Sequence, residues 1–144
     1  MANAEIVAIG SELLLGQIVD TNSAWMAQRL TDVGVNLYYK TVVGDNPGRM
    51  KAVIEQALER SDIVITGGGL GPTQDDLTRE VIAEATGRKL VRDPKALEDI
   101  EQRFRRRGFI MTPNNERQAD IPESATPIHN PNGTAPSFIV EDPR

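Results

Sequence analysis

Four glycines fall within five residues of this chain, at Gly67, Gly68, Gly69 and Gly71, and Pro72, Thr73, Gln74 and the adjacent carboxylates Asp75 and Asp76 follow them. Glycine lets backbone N–H groups approach a ligand with no Cβ in the way. A helix opening just beyond would aim further free N–H groups at an anion. Carboxylates beside such a loop suit a divalent cation placed between protein and phosphate. The segment reads as a site for a phosphorylated ligand and a metal ion. The same residues also allow a plainer reading, a tight strand-to-helix turn whose glycines only relieve crowding. Two familiar motifs are excluded. There is no Gly-Lys-Ser/Thr, so this is not a P-loop, and Pro72 or Gln74 stands where the last glycine of a dinucleotide fingerprint is required.

The elements that must position this loop are legible from periodicity. Ile6–Ile9 is a buried strand ending at Gly10, and Ile63–Thr66 is another that runs into the glycines. Asp20 or Thr21 caps a helix to about Asp32, with Met26, Leu30 and Val33 on one face and Gly34 as the stop. Val35–Val43 is the second strand; Gly44-Asp45-Asn46-Pro47 then caps a helix striped by Met50, Val53, Ile54, Ala57 and Leu58. Further helices run from about Asp76 to Gly87 and from Asp93-Pro94 to Gly108, the second carrying Leu97, Ile100 and Phe104. Strand–helix alternation predicts an α/β fold with parallel strands, right-handed crossovers and helices on both sheet faces. Thr112–Glu116 predicts a short capped turn. Thr126–His129 and Ser137–Val140, around Asn130-Pro131-Asn132-Gly133-Thr134, predict a C-terminal β-hairpin.

In an open parallel sheet, ligands bind outside the carboxyl ends of the strands. Polar residues stand at each exit: Gly10, Ser11 and Glu12, with Gln17 and Asp20 to Ser23 beyond; Asp45; then the glycines with Asp75 and Asp76. Each has a competing local explanation. Asp45 could cap the helix at Pro47, Asp20 to Ser23 could be N-cap chemistry, and Asp76 could cap its own helix. Trp25 and Tyr38 or Tyr39 read as packing residues. His129, the only histidine, reads as structural or exposed.

Composition narrows the class. The 144 residues are 39% hydrophobic and 26% charged, as expected of one soluble globular domain. Formal net charge is −5, which argues against general nucleic-acid binding. The run Arg103, Arg105–Arg107 suits a solvated helix end. Cysteine is absent, so any metal should be hard and oxygen-ligated, Mg²⁺ first. No apolar run is long enough for a membrane span and no signal peptide is legible, which predicts a cytoplasmic protein with no membrane partner.

Together, Gly10-Ser11-Glu12-Leu13-Leu14-Leu15-Gly16-Gln17, Asp20-Thr21-Asn22-Ser23, Gly67 to Thr78, Asn115-Glu116-Arg117-Gln118-Ala119 and Pro131-Asn132-Gly133-Thr134-Ala135-Pro136 resemble the amino-terminal domain of competence/damage-inducible protein A (CinA). That domain lies within the molybdopterin-binding superfamily of the MogA, MoaB and gephyrin type. The resemblance covers essentially the whole chain and implies a three-layer α/β/α fold, usually assembled as dimers or trimers. It also implies metal-dependent hydrolysis of the pyrophosphate in ADP-ribose for this branch, and pterin or adenylylated pterin binding for the wider superfamily. By position, Asp45 and Asp76 resemble two acidic residues that molybdenum-cofactor enzymes place at strand exits.

The residues expected to act follow from these two readings combined. Asp45, Asp76 and Glu12 would be catalytic, with Glu12 as base, and Asp45, Asp75 and Asp76 would hold Mg²⁺. Ligand contacts would come from Gly10, Ser11, Asn22, Ser23, Gly67, Gly68, Gly69, Leu70, Gly71, Thr73, Asn132, Gly133 and Thr134. Two departures stand out: Pro136-Ser137 replaces the usual Pro-Gly, and the relatives commonly continue past the hairpin and carry a deamidase-like domain, so the sequence reads as a fragment. A nucleotide or pterin receptor without chemistry, and an assembly domain for a partner enzyme, remain the alternative functions.

Overall fold

The computed structural model describes residues 1–144, which form two compact units, Met1–Gly69 (with Arg144) and Leu70–Pro143.

The first unit is built on a parallel sheet of three strands, β1 (Asn3–Ile9), β2 (Asn36–Val43) and β3 (Ile63–Gly67), in the order β2-β1-β3. The central strand is buried from Ala4 to Ile9, on both faces, which is why Ile6–Ile9 reads as an unbroken apolar run. Three helices intervene: a single turn α1 (Ser11–Leu14), then α2 (Thr21–Asp32) and α3 (Pro47–Arg60). The crossover through α2 steps outward from β1 to β2, and the one through α3 steps back past β1 to β3. Right-handed crossovers in opposite directions put the two helices on opposite faces, giving the α/β/α layers. Met50, Ile54 and Ala57 form the buried stripe of α3.

A charge sits inside this core. Glu5 of β1 is fully buried and receives two 2.8 Å bonds from the Arg60 guanidinium and a 3.0 Å bond from the Thr41 hydroxyl. The Arg60 bonds outweigh burial and hold the Glu5 carboxyl below its ordinary value. Arg60 in turn stacks on Tyr39, its guanidinium carbon 3.7 Å from the ring centroid.

The second unit contains α4 (Thr78–Ala85), β4 (Leu90–Arg92), α5 (Pro94–Arg106), α6 (Pro113–Glu116), a 3₁₀ turn (Arg117–Ala119), β5 (Asp120–Pro122), and the hairpin β6 (Thr126–Ile128) and β7 (Ser137–Ile139). Both strand pairs are antiparallel. α4 packs on β4 and β5, while α5 packs on the 3₁₀ turn and α6 through Ala96, Ile100 and Ala119, flanked by Leu97, Phe104 and Met111.

The expected α/β fold, the parallel strands and the C-terminal hairpin are all present. Several local expectations are corrected. Trp25 is 63% and Tyr38 67% exposed, and Val33 lies outside the core, so these are surface groups. The helix expected from Asp76 starts at Thr78, because Asp76 is engaged in the preceding turn. The β4–β5 pair escapes periodicity because three residues are too few to show a repeat.

Candidate functional site

Within the first unit, the three strand exits are tied into one edge. The Gly10 amide donates to the Val43 carbonyl at 3.0 Å, fixing the end of β1 to the end of β2. One residue on, Ser11 and Asp45 clasp each other: the Ser11 amide donates to Asp45 Oδ2 and the Asp45 amide donates to Ser11 Oγ, both at 3.1 Å. Asn46 is the residue that caps α3, through the Arg49 amide at 2.9 Å. Asp45 is exposed, and its carboxylate takes the Ser11 amide instead of an amide of α3, so it is not the helix cap. Glu12 is exposed with its carboxyl folded over Gly10, whose hypothetical Cβ would stand 2.5 Å from Glu12 Oε1.

β3 reaches the same edge through its glycines. Gly68 has φ +100°, and a Cβ there would lie 2.2 Å from the Ile9 carbonyl oxygen, so only glycine lets β3 leave the sheet against the end of β1. Gly67 faces the Met26 methyl, 3.7 Å from its Cβ position. One helical turn before Met26 is Ser23, whose amide is taken by the N-cap Asp20 at 3.0 Å. The Ser23 hydroxyl is buried without a hydrogen-bond partner. Such a group costs stability unless something bonds to it. Asn22, its neighbour, is exposed.

In the second unit the glycine segment continues as a loop around Asp76. Asp76 Oδ2 accepts the Thr73 hydroxyl at 2.6 Å and the Thr73 amide at 3.0 Å, and the carboxylate also accepts the Gly71 amide. A Cβ on Gly71 would sit 2.6 Å from the same oxygen. Burial pushes the Asp76 carboxyl up, but the Thr73 hydroxyl, the two amides and the Arg79 charge outweigh it, so the group stays ionised below the usual carboxylate range. Two amides expected to face a ligand thus already serve Asp76, whereas Asp75 is exposed in the turn beside it.

Sequence reading missed the two arginines that shape this loop. Arg79, 1% exposed, donates to the carbonyls of Leu70 and Gly71. Arg117 donates to the carbonyl of Thr73 at 2.6 Å and of Asp76 at 3.3 Å, and pairs with Glu80 at 2.7 Å. The signal for Arg79 was its position in the first turn of a helix, where a cation opposes the dipole and needs another reason to be there. Arg117 gave no local signal. The hairpin residues Asn132, Gly133 and Thr134 lie in the loop between β6 and β7, where Asn130 donates to the Ala135 carbonyl and accepts the Asn132 amide, both at 2.9 Å.

In neither unit do three or more His, Cys, Asp or Glu side chains gather as a metal-holding group. The oxygen donors fit Mg²⁺ only in the mode that uses one or two carboxylates plus substrate phosphate and water, not a dedicated protein cage.

The model of the family described as "probable molybdopterin binding domain" matches residues 5–143. The chain belongs to this family. It is 39% identical to the protein CinA of Thermoplasma acidophilum, a protein of unknown function whose crystal structure superposes with a TM-score of 0.88 over 95% of this chain and 80% of that one. It is 52% identical over 139 residues to a CinA-like protein of Trichormus variabilis, covering 96% of this chain and 33% of the relative. The chain therefore spans about a third of the length of the curated relatives it matches. The molybdopterin biosynthesis enzyme MoaB of Thermus thermophilus shares the fold, with a TM-score of 0.56, 24% identity and coverage of 71% of this chain and 64% of that one. This is a CinA-like molybdopterin-binding domain in family and in fold. No helix is long and apolar enough to cross a membrane.

Proposed function

We propose that this domain binds a phosphorylated nucleotide or pterin at its glycine-bearing strand exits and hydrolyses the diphosphate of ADP-ribose or a similar nucleoside diphosphate derivative. The observation that carries the reading is the buried, unpartnered Ser23 hydroxyl, one turn of α2 before the Met26 methyl that faces Gly67, together with the close passage of Gly68 over Ile9. A buried hydroxyl and backbone stripped of side chains together suit a ligand oxygen better than they suit packing.

In this reading Ser11, Asn22 and Ser23 contact ribose or phosphate, and the Gly67 to Gly69 segment approaches the phosphate with no Cβ in the way. Arg79 and Arg117 hold the carbonyls of the following loop, so that it does not reorganise on binding. In the first unit Asp45, exposed and held by one amide bond, has carboxylate capacity to spare; in the second, Asp75 is exposed and Asp76 is held ionised by its own loop. Mg²⁺ brought with the diphosphate would neutralise phosphate charge and activate water. Glu12 is the base. The domain works in a homo-oligomer, as the exposed Leu14, Leu15, Ile18 and Val19 suggest. A receptor without catalysis is the second reading, favoured by the lack of a three-carboxylate cluster.

Mg²⁺-dependent release of AMP from ADP-ribose, measured for wild type, Asp45→Asn and Ser23→Ala, separates the two. The expected loss is at least 100-fold in kcat for Asp45→Asn, with Ser23→Ala acting mainly on KM. Calorimetric binding of ADP-ribose without product at any Mg²⁺ concentration would establish the receptor instead.

A further inference from the structure

The turn between β6 and β7 carries the one Asn-Gly pair in the chain, Asn132-Gly133. Its glycine is imposed by the loop. Asn130 braces the turn from within: its side-chain oxygen accepts the Asn132 amide and its side-chain nitrogen donates to the Ala135 carbonyl, both at 2.9 Å. A Cβ on Gly133 would stand 2.9 Å from that nitrogen, which could move away only by giving up the Ala135 carbonyl. Glycine is what leaves room for the brace.

The same bareness opens the main chain to reaction. The Gly133 amide donates to nothing, and the Asn132 side chain is exposed and without a partner. A backbone nitrogen with no side chain beside it can reach the carbonyl carbon of the preceding asparagine side chain. Nothing comparable holds at the other seven asparagines. Asn46 and Asn130 precede prolines, which have no N–H to give. The amides after Asn22 and Asn114 are already engaged, Ser23 on Asp20 and Asn115 on Thr112. Asn3 and Asn36 face each other in the β1–β2 ladder, Asn115 lies in α6, and each of these three is followed by a residue with a side chain.

We infer that Asn132 is a site of spontaneous deamidation. The Gly133 nitrogen attacks Asn132 Cγ and loses its proton, the Asn132 side-chain nitrogen leaves as ammonia, and a cyclic succinimide closes. Water then opens the ring at either carbonyl, giving aspartate or isoaspartate; neither oxidant nor reductant is needed. Isoaspartate routes the main chain through the former side chain, lengthening it by one atom, and adds a carboxylate. The added atom falls inside the span that Asn130 closes between Asn132 and Ala135, so the brace loosens. The change is one-way and independent of diphosphate hydrolysis.

The protein is kept in warm, mildly alkaline buffer made with heavy-oxygen water, and its peptides are followed by mass spectrometry. One heavy oxygen per converted chain is expected, at residue 132, at least tenfold ahead of any other asparagine and within tenfold of the rate in the urea-unfolded chain. Asn132→Gln should abolish it. Conversion led by another asparagine, conversion more than tenfold slower than in the unfolded chain, or conversion that persists in Asn132→Gln overturns the site. The isoaspartyl form is then compared with Asn132→Asp, which has the charge without the longer chain. A lower thermal midpoint and a shifted resonance of His129, the only histidine, are expected of the isoaspartyl form; two indistinguishable proteins would overturn the loosening.

Discussion

Asp45 and Asp76 both follow a parallel strand, yet their carboxylates are treated differently. Asp45 is exposed, held to the sheet edge by a single amide of Ser11. Asp76 is wrapped by the Thr73 hydroxyl and by two amides, in a loop whose carbonyls are gripped by Arg79 and Arg117. The first unit sets its edge by main-chain contact, as at Gly68 against Ile9. The second sets its loop with long charged side chains. Main-chain packing fixes where a group can be, whereas side-chain clamps fix which way its backbone dipoles point.

The first half of this contrast breaks most readily at Gly68. Alanine there meets a backbone oxygen that cannot yield and a left-handed φ, so roughly 3–4 kcal/mol of unfolding free energy should be lost. Urea denaturation with an unchanged slope would show it, and a loss below 1 kcal/mol would mean the crossing is looser than drawn. Glu5→Ala comes next. Emptying one side of a buried ion pair should cost roughly 3 kcal/mol. Because the folded carboxyl lies below its ordinary value, its contribution is complete above the unfolded value and fades as pH falls through the folded one. Wild type should therefore lose stability on acidification below about pH 4.3, and Glu5→Ala should lose less over the same range.

The second half is sharpened by Thr73→Val, which removes the 2.6 Å hydroxyl bond. Stability should drop by about 1 kcal/mol, and the Asp76 carboxyl should move up in an NMR titration; an unmoved carboxyl would assign its ionisation to the two amides and the Arg79 charge. The smallest effect belongs to Trp25→Ala. With the ring 63% exposed, thermal stability should stay within about 0.5 kcal/mol of wild type.

Much of the framework was legible because its causes are local. Asn46 before Pro47, Asp93 before Pro94 and Asp20 three residues before Ser23 announce helix starts through the side chain that caps them, and each accepts the expected amide. The β-branched strands and the Asn-Gly hairpin cue are equally local. Trp25 and Tyr38 misled because a large ring signals a hydrophobic area but not the side of the helix or strand on which it lands. The site was only half legible. Glycines and aspartates mark the exits, but nothing near Arg79 or Arg117 in the chain shows which carbonyls they hold, 8 and 44 residues away.

The order of amino acids was enough to set the parallel strands, the caps and the glycine positions, since each depends on neighbours within a few residues and on the allowed geometry of the backbone. Folding alone decided that the Ser23 hydroxyl would be left without a partner, that Asp76 would fill its own loop, and that His129 would meet Asp99 of α5. Those outcomes depend on distances between segments remote in the chain, which periodicity and spacing do not encode.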